Sequence, residues 1–131
     1  MKVYRIETVS PVPGFKVEHV GPYNAPVRGY RTSKLRRDLI NAHHGNDEHP
    51  PMNRDFDDFW TFKQEYLCGS DSPEALRTWF GPFFKRLLDT GIFREAVYEV
   101  PDELVIRSIS GRQVAFKPTD ARRLDTPDRV W

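Results

Sequence analysis

One cysteine in 131 residues, Cys68, leaves no partner for a disulfide within the chain. A reducing compartment, the cytoplasm, is therefore the expected setting, or the host cytoplasm for a phage-encoded chain. Net charge is also scarce. Twenty Lys and Arg stand against nineteen Asp and Glu, leaving +1 at pH 7, and neither half of the chain departs from that balance. This excludes the strong one-signed field that draws a protein to nucleic acid or to an anionic membrane surface. No apolar run approaches the roughly 20 residues of a membrane-spanning helix. The opening residues, MKVYRIETVS, lack the apolar centre of a signal peptide. Internal repeats and low-complexity segments are absent too.

Aromatic residues, by contrast, are plentiful at 13%. Many fall at positions whose spacing puts them on one side of an element. A chain of this length buries roughly two-thirds of its unfolded surface on folding. One domain spanning residues 1–131 is expected, with residues 117–131 as a charged, proline-punctuated tail docked loosely through Ala121, Leu124 or Trp131.

The stretch 67–100 organises the rest. Ser72-Pro73-Glu74 is a helix start: the serine can accept first-turn N–H groups, proline fits the first helical position, and glutamate suits the positive helix end. Leu76, Trp79 and Phe80 then share one face. Gly81-Pro82 breaks this helix and opens another, whose buried stripe is Phe83, Phe84, Leu87 and Leu88, and Gly91 ends it. Residues 93–100 alternate as a strand with one wet face. Trp79, Phe80, Phe84, Leu87, Val97 and Val100 are expected to share one core.

Before this stretch, residues 1–9 read as a strand, residues 15–20 as a second short strand, and residues 33–42 as a helix capped by Ser33. Residues 43–54 form a loop, 55–65 a helix with Phe56, Phe59, Trp60 and Phe62 as its aromatic surface, and 66–68 a strand. After it, residues 104–108 and 112–116 make a hairpin. Strands at both ends around a helical middle give an α+β fold: a small, mostly antiparallel sheet carrying two to three helices.

Several groups of residues carry possible chemistry. His43, His44, Asp47, Glu48 and His49 are dense enough to bind a divalent metal, but their spacing matches no specific metal signature, so no metal ligand is assigned. The same histidines suit acid–base work in a pocket with Tyr23 and Asp55. Cys68, in an apolar strand, reads as a buried structural thiol rather than a nucleophile. Arg28, Arg31, Lys34, Arg36 and Arg37 read as a solvated helix face first and a phosphate-contacting surface second.

Two resemblances rest on the order of these elements. Val3-Tyr4-Arg5-Ile6 on the first strand, residues 66–70 running into the Ser72 helix, and the late strand GRQVAF resemble the ADP-ribosyltransferase fold. That resemblance implies an NAD or ADP-ribose pocket in which Arg5 binds a diphosphate, Ser70 orients the nicotinamide end and Tyr23 lines the site. It places the catalytic carboxylate near Gln113, which is not one; Glu99 on the neighbouring strand is the available substitute, so Glu99 and Gln113 are the catalytic candidates. It further implies that Arg5 lies outside the core. Second, GPYN, HPPMNRD, LCGSDSPEALRTWF, GIFREAVYEV and GRQVAF together look like small proteins encoded by bacteriophages. This resemblance points to host takeover or evasion of host defence and implies no activity by itself; with the nucleotide pocket the chain would act on or modify a host protein, and without it the chain would inhibit a host target by surface contacts.

Overall fold

The computed structural model describes residues 1–15, 17–44, 49, 55–56 and 66–124. Asp47 and Glu48, most of the expected 55–65 helix with Phe59, Trp60 and Phe62, and the end of the tail with Trp131 lie outside the described residues.

Three described helices and six strands follow one another along the chain. Strand β1 is Lys2–Thr8, helix α1 Lys34–His43, strand β2 Leu67–Gly69, helix α2 Pro73–Phe80, helix α3 Phe83–Asp89 and strand β3 Phe93–Glu99. Short strands β4 (Ile106–Arg107), β5 (Val114–Phe116) and β6 (Arg122–Arg123) complete the set. This is the α+β class. The helix boundaries follow the expected chemistry. Ser72 Oγ accepts from Ala75 N at 3.0 Å and Pro73 opens α2, while Ser33 Oγ accepts from Arg36 N at 3.2 Å and caps α1. Gly81 breaks the chain between α2 and α3 at φ 53°, a conformation that suits a residue without Cβ.

The strands form two antiparallel three-stranded sheets rather than one, in the orders β1-β3-β6 and β2-β5-β4. Tyr4 and Ser70 join them through reciprocal backbone bonds of 2.8 and 2.7 Å. Alternation along β1 and β3 sorts their side chains onto two faces. Ile6 and Phe93 face the helices and pack with Leu39, Leu76, Phe80 and Leu87. Val3, Ala96 and Tyr98 face the second sheet and pack with Leu67, Val114 and Phe116. The first sheet is therefore covered on both sides.

Three expectations change. Trp79, Phe80, Phe84 and Leu87 pack on the helical side, but Val100 belongs to the other cluster and Val97 lies on the opposite face of β3 from it. The described residues of the expected 15–20 strand, 15 and 17–20, are not strand: residues 17–19 are bends, tied to β1 where Thr8 N donates to Val20 O at 2.9 Å. The start of the tail is not loosely docked, because β6 pairs with β3 in the register Tyr98↔Arg123 and Glu99↔Arg122.

Candidate functional site: a cavity backed by a buried ion cluster

Where β1 meets β2, the two sheets and α2 leave a cavity of about 220 Å³. Arg5 reaches it from β1, Ser70 from the end of β2, Gln113 from the approach to β5 and Tyr23 from the 21–24 turn; Trp79 and Phe80 of α2 close its apolar side. Four of the five candidate residues thus line one space. Glu99 does not. It is exposed at the far end of β3, pairs with Lys2 and Arg122, and by alternation lies on the opposite face of the sheet from Arg5.

Arg5 is buried, at 7% exposure, contrary to its expected place outside the core. Its Nε lies 3.0 Å from Glu7 Oε2, and its Nη1 donates to the Cys68 carbonyl at 3.1 Å. Nη2 remains, next to Gly21, and among the described residues nothing accepts from it. The planar fork is therefore partly spent on the protein, and one edge rather than two faces the cavity.

Glu7 is the reason. Its side chain is fully buried, accepts from the Tyr98 hydroxyl at 2.9 and 3.0 Å, and lies 2.8 Å from Arg123 Nη2 on β6. A buried carboxylate persists only when ion-paired and hydrogen-bonded, and two arginines and a tyrosine do this here. Glu7 was not among the sequence candidates. The available signal was the alternation Val3, Arg5, Glu7, which sets two opposite charges on the face that also buries Val3.

Gln113 is buried and bound to another carboxylate: its Nε2 donates to Asp55 Oδ2 at 2.9 Å. Asp55 also accepts from Ser110 N and Ser110 Oγ, each at 2.8 Å. Burial works to raise the Asp55 carboxyl, but the bonds from Gln113, Ser110 and Ser108 outweigh it and hold the group below the usual carboxylate range. The pair clamps the 108–113 turn. Ser70 has both its backbone N–H and C=O committed to Tyr4, so that N–H is not available to a ligand.

Tyr23 sits in a polar chain. Trp79 Nε1 donates to the Tyr23 hydroxyl at 2.8 Å, and that hydroxyl lies 2.6 Å from His43 Nδ1. An indole nitrogen can only donate, so the tyrosine proton is left for His43, which satisfies all three groups with His43 neutral. Burial pushes the Tyr23 phenol up. Burial, and then His49 stacked on it with ring centroids 3.8 Å apart, pushes His43 down to about 4. His43, which is the last residue of α1 rather than part of a loop, thus meets Tyr23, whereas Asp55 belongs to the Gln113 clamp. Among the described residues, no group of three His, Cys, Asp or Glu side chains is placed to hold a metal. Cys68 also lines the cavity, its thiol pushed up to about 12 by burial against the opposing pull of Arg5.

Two of the five residues of the basic face, Lys34 and Arg36, are bound to the protein itself. Lys34 reaches Asp38 at 2.7 Å, and Arg36 donates to the carbonyls of Tyr23 and Arg31 at 2.9 and 3.2 Å. No described helix is long and apolar enough to cross a membrane.

A small α+β protein with a half-open cavity over a buried ion cluster is what these elements define. The family model described as Bacteriophage T4 Y00F protein matches residues 1–128, and the chain belongs to that family. This bears out the resemblance to bacteriophage proteins. No curated protein and no solved structure matches the chain.

Proposed function

We propose that this phage-family protein binds the head group of a small nucleotide-derived ligand, NAD or ADP-ribose, and acts on a host protein by binding rather than by transfer chemistry. The observation that carries the reading is the convergence of Arg5, Tyr23, Ser70 and Gln113 on one cavity, the set that the ADP-ribosyltransferase resemblance implies. Trp79 and Phe80 offer flat apolar surface for a heterocycle, and Arg5 Nη2 offers one cationic edge. Transferase chemistry needs an anion beside the reacting ribose. The described lining contains none: Glu99 is on the other face, and Gln113 is an amide tied to Asp55.

A second reading, a host-binding protein that uses surface contacts alone, is favoured by size. The cavity's 220 Å³ falls below the roughly 300 Å³ at which small-molecule sites usually begin. Only a ring and its nearest substituents would enter it, with the remainder of a dinucleotide lying over the rim.

Thermal unfolding with NAD, ADP-ribose and nicotinamide decides between them. A ligand held at about 100 times its Kd stabilises by roughly 2.7 kcal/mol, several degrees for a domain of this size. Stabilisation by NAD that Tyr23→Phe abolishes supports the ligand reading. No shift with any of the three at millimolar concentration leaves the protein-binding reading, which capture of a discrete host protein on the immobilised chain then tests.

A further inference from the structure

Strand β1 has a gap in the pairing of its outer edge, and the residue at the gap, Ile6, lines the cavity. Val9 N donates to Ile92 O at 2.8 Å and Val100 N to Met1 O at 2.9 Å. With the register of the two strands, these bonds assign the odd-numbered residues of β1 to the ladder with β3. The even-numbered residues point their N–H and C=O groups the other way. Tyr4 spends both on Ser70, and Thr8 N donates to Val20 O. Ile6 lies between them, and among the described residues nothing bonds its N–H or its C=O.

The flanking chains cannot close this gap. Continuing the antiparallel register from Thr8 and Val20 brings Pro22 opposite Ile6. Proline has no N–H to give, and the Pro22 carbonyl already accepts from the Tyr30 hydroxyl. Continuing from Tyr4 and Ser70 brings Cys68 opposite Ile6. Cys68 is instead drawn into the second sheet opposite Ala115, and its carbonyl accepts from Arg5 Nη1. A strand edge with one open donor and one open acceptor is a template for another extended chain. Beside it, Leu76, Trp79 and Phe80 form an apolar wall, and the described lining contains no carboxylate.

We propose that the cavity takes one extended residue of a partner polypeptide, which donates its N–H to Ile6 O, accepts from Ile6 N–H, and lays an apolar side chain on Leu76, Trp79 and Phe80. An extended residue turns its own N–H and C=O to the same side, the arrangement that a reciprocal antiparallel pair requires. The bonds at Tyr4 and Thr8 lie about 13 Å apart along β1 and confine the contact to this single residue. The inference rests on the host-binding reading above and gives that partner a chemistry.

The test is an amide NMR titration of the full chain with four probes. They are N-acetyl-leucine N-methylamide, its glycine counterpart, the leucine analogue in which an ester oxygen replaces the N–H, and nicotinamide. The leucine amide should give saturable shifts at Ile6, Gly21 and Ser70. The glycine compound lacks the apolar side chain and the ester lacks the donor to Ile6 O, so each should bind about tenfold more weakly. A Cβ at position 21 would lie 3.7 Å from Ile6 O and 3.5 Å from Arg5 Nη2, ordinary contacts that crowd the approach without forcing the backbone. Gly21→Ala should therefore weaken binding about tenfold at an unchanged urea midpoint. The proposal is overturned if the leucine amide leaves Ile6 unshifted, if the ester or the glycine compound binds equally well, or if Gly21→Ala binds like the parent. Nicotinamide shifting Ile6 at lower concentration than the leucine amide also overturns it, in favour of the nucleotide reading. If no probe binds, this inference fails by itself, and capture of a host protein still tests the host-binding reading.

Discussion

Gly69 runs so close to Tyr4 that a Cβ at position 69 would lie 2.6 Å from the Tyr4 carbonyl oxygen, and equally close to Val3 Cγ1. Both obstacles sit in the middle of β1, so neither can move without disturbing the backbone bonds between Tyr4 and Ser70 that join the two sheets. Gly69→Ala should destabilise the protein by about 2–3 kcal/mol, the upper part of the range for forcing atoms into a packed interior. Urea unfolding reads this as a lower midpoint at unchanged slope. A loss under about 0.5 kcal/mol would mean that the sheets are not held at this spacing.

The buried ion cluster sets a second expectation. Arg5 and Arg123 both converge on the fully buried Glu7. Removing one member of such a set leaves buried charge without its counterpart, which costs about 3–5 kcal/mol. Glu7→Gln and Arg5→Ala should each fall in that range by chemical denaturation. The two losses should add to clearly less than their sum in the double variant, because they disrupt one network. This reverses the expectation for Arg5 as a surface residue, and it means that Arg5→Ala cannot report on ligand binding alone.

Stability should also follow His43. Its folded pKa, about 4, lies below the ordinary 6.5. Between those values the unfolded chain binds a proton that the folded chain refuses, so stability rises with pH across that window. The contribution is fully present above about pH 6.5 and is lost as pH falls towards 4. Discounted for the half-exposed ring, the change is about 1–2 kcal/mol. Comparing the parent with His43→Gln by urea unfolding at pH 7 and pH 4.5 isolates it. The difference between the two proteins should change by that amount, and a difference independent of pH would show that the ring titrates normally.

What local chemistry dictates was legible in the sequence: Ser72-Pro73 starts α2, Gly81-Pro82 breaks it, and the alternation after Gly91 is β3. Arg5, Tyr23, Ser70 and Gln113 are grouped by what the ADP-ribosyltransferase resemblance implies, and the four line one cavity. The failures all involve groups whose fate depends on distant partners. Arg122-Arg123 looks like solvated tail because nothing local announces that Glu7, far earlier in the chain, needs a cation there. Residues 15–20 carry β-forming side chains, yet the segment, bounded by Pro-Val-Pro-Gly and Gly-Pro, bends so that His19 can reach both Thr8 and Arg123. Glu99 has a carboxylate of the required type, but strand alternation turns it away from Arg5.

Cys68 gives a single-site readout of the cavity, since no other thiol competes. It lines that cavity beside Arg5, whose Nη1 binds the Cys68 carbonyl. Burial nonetheless dominates over the nearby guanidinium and pushes the thiol up to about 12. Only the thiolate attacks an alkylating reagent, and at pH 8 a thiol with that pKa is ionised about a thousandfold less than a free cysteine. Iodoacetamide at pH 8 should therefore modify the folded chain about a thousandfold more slowly than the urea-unfolded chain, as followed by intact mass. Glu7→Gln, which removes the carboxylate that holds Arg5 Nε, should open the β1–β2 junction and speed the reaction under conditions where the variant is still folded. A parent rate within tenfold of the unfolded one would show that the cavity floor is open to solvent and that the half-buried Cys68 ionises freely at the junction of the two sheets.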